Sequence, residues 1–402
     1  MILQAPCQWR SLAYSRPNGS DRAMSDTRWA WVEIDLGAIR HNVASLRAVA
    51  DPAAVWAVVK ADGYGHGAVD VARAAMDAGA EGLCVALVAE GLELRRAGID
   101  APILLLSEQP PETAGHIVEH RLTPTVYTRQ FLDALVAVGP TGLPVHLKID
   151  TGMQRVGAHP HAAAAMAQSI AERAPAVRLA GVFSHLAVAD DPSDAFTARQ
   201  VERFDGALEH VIERVGSVPL IHLANSAGTL AHPETRRSMV RAGIAIYGVS
   251  PGHGVDDLCA DLRPALQLRA RVSYVKMARA GSRISYGRVH KFERDTTVAT
   301  IPIGYADGVP RRLSSTGGEV LIGGRRRQIV GRVTMDQLMV DCGDDEVNVG
   351  DDVVLIGNQD GPDGEQTIRA EDWADRLDTI GYEIVCGISS RVPRFPRRSI
   401  DG

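Results

Sequence analysis

Eight short, nearly unbroken apolar runs, separated for the most part by helix-patterned segments, organise the chain between residues 54 and 246. They are Ala54 to Val59, Gly82 to Val88, Pro102 to Leu106, Leu122 to Val126, Val145 to Ile149, Leu179 to Phe183, Leu220 to Leu223 and Ser238 to Ile246. A strand that is apolar on both sides must be covered on both faces, and strands joined through helices run parallel. Eight such units favour an α/β fold of the (β/α)8 type over the doubly wound open sheet that the pattern by itself also allows. Helices are expected over Leu36 to Ala50 behind Asp35 as N-cap, over Ala68 to Ala78, and up to Ala97.

From about Asp261 the texture changes to β-branched runs set off by Gly and Asp, among them LQLRARVSYVKM, TVATIPIGYADGV, EVLIGGRRRQIVGRVT, LMVDCG and DVVLIG. These predict a C-terminal, mainly antiparallel β-domain over residues 262–402, broken only by a helical piece near Ala370 to Leu377. The barrel domain then spans 29–261, and a strand at Trp31 to Asp35 pairs with the second domain. Residues 1–28 are polar and turn-rich and lack the apolar core of a secretory signal, which predicts a loose tail, with Met24 as a second candidate start.

The 49 acidic and 43 basic residues leave a formal net charge of -6, the wrong sign for a general nucleic-acid binder. No apolar run approaches the roughly 18 residues of a membrane helix. Five scattered cysteines with no CxxC pair suggest neither a disulfide framework nor a metal site, and fit a reducing cytoplasm.

In a barrel of this kind, chemistry collects at the C-terminal ends of the strands. The first run is followed by Lys60-Ala-Asp-Gly-Tyr64-Gly-His-Gly, the fifth by Lys148-Ile-Asp-Thr-Gly-Met-Gln-Arg155-Val-Gly, the sixth by Ser184-His185 and the seventh by Asn225-Ser226. The eighth carries Arg241, then Gly243 and Ile244. Only four of the 43 basic residues are lysines, at 60, 148, 276 and 291, so each is worth asking about: an amine can lose its proton, whereas a guanidinium in practice does not. Lys60, at the mouth of the barrel, suits a desolvated amine that forms a Schiff base, or simply marks the end of a strand. Ser226 and the Gly243-Ile244 amides stand where barrels bind phosphate, and equally where a short helix is N-capped by Asn225. A phosphate and a Schiff-base lysine together point to pyridoxal phosphate (PLP). Arg241 would then face the cofactor ring as a pure donor, leave the ring nitrogen unprotonated, and favour prompt return of a proton to the α-carbon. Taken alone, it reads as a strand-end ion-pair residue.

These segments, together with His222-Leu-Ala-Asn-Ser226-Ala, Ser285-Tyr286-Gly287 and Gly331-Arg-Val-Thr-Met335-Asp-Gln, resemble the alanine racemases over about Trp31 to Arg394. The resemblance implies an enzyme that interconverts L- and D-alanine and supplies D-alanine for peptidoglycan. It also implies a homodimer in which each site is completed by the other copy. Lys60 is similar to the lysine that holds PLP as an internal aldimine and acts as one acid/base, and Tyr286, from the second copy, to the other. Arg155 resembles the arginine beside the cofactor and the substrate carboxylate, Met335 a residue whose backbone helps bind that carboxylate, and His185 the histidine linking the tyrosine to Arg241. Tyr64, Ser226, Gly243, Ile244 and Tyr382 match the phosphate set, Lys148 a lysine that is carbamylated in many members, and Tyr305 an entrance tyrosine. Ala242, where proline is common, and Ser184, where threonine is common, depart from the pattern. A broad or serine-preferring racemase shares the motifs and stays open, whereas a noncatalytic PLP-binding barrel would lack Tyr286 and Met335.

Overall fold

In a computed structural model of the chain, residues 28–397 are described. Apart from Arg28, the expected tail over residues 1–28 lies outside the described residues.

The first strand, β1 (Ala30–Asp35), is followed by eight more: β2 (Ala54–Val58), β3 (Gly82–Val85), β4 (Ile103–Leu105), β5 (Thr125–Val126), β6 (Leu143–Lys148), β7 (Val177–Phe183), β8 (Leu220–His222) and β9 (Met239–Ala242). Each of β2 to β9 overlaps one of the eight apolar runs, and the ladders among them are all parallel, in the orders β4-β3-β2-β9 and β5-β6-β7-β8. Two seams join these halves. Leu105 and Thr123 donate from their amides to Thr123 O (2.9 Å) and Ile103 O (2.8 Å) between β4 and β5, and the Ser238 and Arg241 amides donate to Ile221 O and Ala224 O (both 3.1 Å) between β8 and β9. The ring is thereby closed, which an open doubly wound sheet would not be. Every residue of β3, β4 and β9 is buried, as continuous apolar runs require.

Helix Leu36–Ala50 begins where expected because the Asp35 carboxylate accepts from the Gly37 and Ala38 amides at 2.7 and 3.0 Å, a cap worth about 1 kcal/mol. Its buried stripe of Ile39, Val43, Leu46 and Ala50 lies at the i, i+3/i+4 spacing of one helical face. The eighth run, expected to extend as far as Ile246, instead stops at Ala242 and continues as a 3-10 turn over Ile244–Tyr247. Residues 244–247 are all buried, so apolarity alone could not separate strand from turn there.

The strands expected in the C-terminal part form a large, mainly antiparallel sheet, in which Leu266–Arg271 pairs with both Asp352–Gln359 and β1 (Val32 opposite Leu268). Arg394–Arg397 lies parallel to the other edge of β1. The first and last described strands therefore both lie in this sheet, and the barrel is made in between. Helix Ala370–Leu377 is present, but the sheet is interrupted a second time by Gly381–Cys386, a six-residue helix too short for its period to be read. This second helix matters. It sits directly on the turn that follows β2, so that a Cβ at Gly65 (φ +79°) would lie 2.5 Å from Val385 O, and it holds Tyr382 over the barrel mouth.

Candidate active site

A cavity of about 490 Å³ opens at the C-terminal ends of the barrel strands. Lys60 enters it from the turn after β2, Lys148 from the end of β6, His185 from beyond β7, Asn225 and Ser226 from beyond β8, and Arg241, Gly243 and Ile244 from β9 and its continuation. Tyr64, Arg155 and Tyr382 complete the expected set. Cavities of similar size occur in the β-sheet region (about 540 Å³) and beside the loop after β6 (about 510 Å³), each lined by acidic and basic groups together. The barrel-mouth cavity differs in its charge. Among the described residues its lining includes Lys60, Lys148, Arg155 and Arg241 and no carboxylate, a setting complementary to a phosphate and a second small anion.

Arg241 organises the floor. Its buried guanidinium donates to His222 Nδ1 (2.7 Å), to the Ser184 and Leu223 carbonyls (2.8 Å each) and, at 3.4 Å, towards His185 Nδ1. None of these partners is an acid, so the ion-pair reading of Arg241 does not hold; burial pulls its pKa down to about 10. A guanidinium only donates, and that assigns the tautomers of its neighbours. His222 accepts at Nδ1, therefore carries its proton on Nε2 and donates to His146 Nδ1 at 2.9 Å. His185, accepting at Nδ1, keeps an Nε2-H. Burial first, and the Arg241 cation second, hold all three imidazoles neutral, with His146 pushed down to about 3 and His185 and His222 well below the usual histidine value. Phe183 stacks on His222 (4.6 Å, 7° between planes), with the Arg241 guanidinium and Lys148 Nζ 5.2 and 5.4 Å from its ring centre. His146, Phe183 and the role of His222 were not anticipated from sequence. The available signal was the period of two along β6, which puts His146 on the same face as Lys148.

Lys60 stands at the head of an unusual turn. Ala61, Asp62, Gly63 and Tyr64 have φ of 52°, 53°, 59° and 52° with ψ between 40° and 51°, one turn of left-handed helix. For residues with a Cβ this conformation costs roughly 1–2 kcal/mol each. Asp62 Oδ1, accepting from the Ala68 amide at 2.9 Å, and Arg394, donating to Gly65 O at 2.7 Å, help hold it. Burial, then the Arg155 charge, lowers the pKa of Lys60; burial, then Arg241 and Arg155, lowers that of Lys148 to about 7. Both amines are thus shifted towards the form that can act as a nucleophile. Burial pushes the Tyr64 and Tyr382 phenols up, so both remain hydrogen-bond donors.

Next to this turn, His66 is buried against Tyr247, its Nδ1 2.9 Å from Tyr64 O and its Nε2 without a partner among the described residues. Burial lowers its pKa from 6.5 to about 4. As the pH falls the unfolded chain takes up this proton first, so stability present above pH 6.5 is lost towards pH 4, by about 2 kcal/mol at pH 5. His66→Gln should accordingly flatten the fall in melting temperature between pH 7 and 5; an unchanged slope would show that His66 does not contribute to it.

On the opposite wall, Asn225 Oδ1 accepts from the Gly228 amide (2.9 Å), the N-cap expected for helix Ser226–Ala231. Ser226 Oγ accepts from the Gly243 and Ala245 amides at 2.9 and 3.3 Å, whereas the Ile244 amide between them has no partner among the described residues. A Cβ at Gly243 would come within 2.9 Å of Tyr64 Oη. An unpaired buried amide next to two amides held by the Ser226 hydroxyl, with space kept open beside the Tyr64 hydroxyl by a glycine, suits a phosphate, and the residues present fit the phosphate end of PLP.

Two expected residues are not brought to this cavity within one chain. Tyr286 is 71% exposed, on a 3-10 turn beside the strained Ser285 (φ +65°), and Met335 is 52% exposed. Their loops are neighbours: Ser285 Oγ donates to Arg332 O (2.9 Å), while the Tyr305 and Ala306 amides donate to Thr334 O and Met335 O (2.9 and 3.0 Å). Tyr286, Tyr305 and Met335 therefore belong to one exposed assembly of loops.

Residues 34–251 match the family model described as the N-terminal domain of alanine racemase, and residues 265–396 the model for its C-terminal domain. A curated alanine racemase of Symbiobacterium thermophilum is 47% identical over 373 residues, covering 92% of this chain and 97% of that protein. Among solved structures, alanine racemase from the D-cycloserine producer Streptomyces lavendulae superposes with a TM-score of 0.86 at 39% identity, covering 93% of this chain and 98% of that one. The Bacillus anthracis alanine racemase with bound L-Ala-P gives a TM-score of 0.86 at 39% identity, with 92% and 96% covered.

Proposed function

The chain belongs to the alanine racemase family, and from that premise we propose how its own residues interconvert L- and D-alanine. The activity is that of an isomerase in a PLP-dependent family, and relatives named as alanine racemases along nearly their whole length do not favour the broad or serine-preferring alternative. The observation that carries the assignment of residues is the cavity that gathers Lys60, Arg241 and the Ser226-Ile244 cradle, with Lys148 and Arg155 as its other charged groups among the described residues. PLP, when bound, supplies an electron-withdrawing ring that acidifies the α-hydrogen of an attached amino acid.

Lys60 would hold the cofactor and, as an amine of lowered pKa, take or return the proton at the α-carbon on one face. Tyr286 of a second copy would serve the other face, since inversion needs the proton removed from one side and restored on the other. The His185 Nε2-H, with Nδ1 near Arg241, would support the Tyr286 oxygen and pass its influence to Arg241. Tyr64, Ser226, Gly243, Ile244 and Tyr382 would hold the phosphate, and Asn225 would shape the cradle as its cap. Arg155, with the Met335 backbone of the second copy, would bind the substrate carboxylate. Arg241, a donor only, would leave the ring nitrogen without a proton. The exposure of Tyr286 and Met335 in a single chain supports a homodimer with shared sites.

Lys148 would take up carbon dioxide, its neutral amine forming the N-C bond and releasing one proton, so that a carbamate anion faces Arg155 and Arg241. With a pKa of about 7 the neutral amine is well populated at neutral pH. Carbon-13 NMR of the enzyme in labelled bicarbonate should show one carbamate signal that Lys148→Ala removes; a signal that survives this change would place the carbamate elsewhere.

We take residues 29–261 as the barrel unit and 262–402 as the β-unit, with β1 hydrogen-bonded into the second. No helix among the described residues is long and apolar enough to cross a membrane. The free thiols of Cys84, Cys259, Cys342 and Cys386 suit a cytoplasmic enzyme supplying D-alanine for peptidoglycan. The deciding assay follows both enantiomers of alanine and of serine with the purified chain and PLP; turnover of serine in preference to alanine would overturn the substrate assignment.

A further inference from the structure

Glu90 lies at the start of helix Val88–Arg96 and ties together two loops of the barrel mouth. Its Oε2 accepts from the Ala86 and Leu87 amides at 2.8 and 3.0 Å, as a capping glutamate in the first turn of a helix does. Its Oε1 does something a cap does not need: it accepts at 2.7 Å from the amide of Ala61, the residue immediately after Lys60. Ala61 opens the left-handed turn, where, as at any helix start, the first amide has no partner inside the turn.

We propose that Glu90 is a positioning residue for Lys60: its carboxylate anchors the first amide of the left-handed turn to the loop after β3 and so sets the place of the amine. The proposal rests on the assignment of Lys60 to the cofactor. A turn with three Cβ-bearing residues at positive φ is held in place only by its surroundings, and Glu90 supplies a side-chain contact to the residue next to the lysine. The same carboxylate is also a charge near the amine. Among the groups acting on Lys60, Arg155 opposes its protonation while Glu90, and more weakly Cys386 and Cys84, favour it. Glu90 would thus set both where the amine stands and how readily it gives up its proton.

The test uses the full-length enzyme carrying Glu90→Gln, with Glu90→Ala as the more severe variant. Glutamine offers one acceptor oxygen and turns an NH2 donor towards the other limb, so it cannot serve both loops. With PLP bound, kcat should fall by about ten- to a hundredfold, the scale of a misplacement near 1 Å, while KM for alanine stays within about twofold. On the cofactor-free chain, competitive acetylation of Lys60 followed by mass spectrometry across pH should show its midpoint moved lower, because a neighbouring negative charge is gone. A Glu90→Gln chain whose Lys60 profile coincides with that of the unsubstituted chain overturns the proposal even if its melting temperature drops, for then Glu90 only caps a helix. If Lys60→Ala still takes up PLP covalently, the assignment of Lys60 fails instead. The acetylation profile does not involve the cofactor, so the two failures are told apart.

Discussion

Lys60→Ala should lower racemisation in both directions by more than about 10³-fold and abolish the borohydride-trapped link to PLP. The cavity holds a rival amine, Lys148, whose pKa is brought to about 7, so depressed basicity does not by itself choose between them. Surroundings do. Lys148 Nζ lies over the Phe183 ring and 3.5 Å from Leu106 O, at the end of a regular strand. Lys60 stands at the head of the left-handed turn that also carries Tyr64 into the phosphate cradle, so one segment would hold both ends of the cofactor. Lys148→Ala should therefore keep the covalent link and lose activity more modestly. Lys60→Arg, which keeps the charge but cannot serve as a nucleophilic amine, should be as inactive as Lys60→Ala. Peptide mapping of the reduced adduct decides: label on residue 148 of the unsubstituted enzyme would overturn the assignment.

Tyr286→Phe should cost about 10²- to 10⁴-fold in turnover, with α-hydrogen exchange from solvent impaired for one enantiomer far more than for the other. Equal loss for both would count against a two-base arrangement. A stronger consequence follows from the 71% exposure of Tyr286 and its absence from its own chain's cavity. If a second copy supplies it, a hybrid of a Lys60→Ala chain with a Tyr286→Phe chain contains one doubly damaged site and one intact site. Equimolar co-expression should then restore about a quarter of the unsubstituted activity, since about half of the dimers are hybrids, each with one of two sites intact. If both residues serve the same site from one chain, every site in the mixture is damaged and no activity returns.

The barrel was legible because its strands are covered on both faces: burial leaves a run such as Ile103 to Leu105 no polar position, and the count of runs then carries the topology. The same property hid the end of the eighth run, where strand and 3-10 turn are equally buried and equally apolar. Helix Gly381–Cys386 escaped for want of length, although it carries Tyr382 to the site. Among site residues, those immediately after a strand end could be found by position, as Lys60, His185 and Ser226 were. His146, Phe183 and Glu90 could not, because each acts through contacts with residues far away in the chain: His146 with His222, Phe183 with Arg241, and Glu90 with the amide after Lys60.

The sequence by itself determined the residue types and their order: an amine, a donor-only arginine, a cradle with a glycine, and a tyrosine 226 positions after the amine, counted from Lys60 to Tyr286. Side-chain chemistry is a local property, so it can be read from a string. Only the tertiary structure decided that Arg241 meets no acid among the described residues, that three histidines near it stay neutral, and that Lys60 sits on a left-handed turn while Tyr286 stands exposed outside its own chain's cavity. Those depend on burial and on which distant groups come within hydrogen-bonding reach, and both are fixed only when the barrel closes.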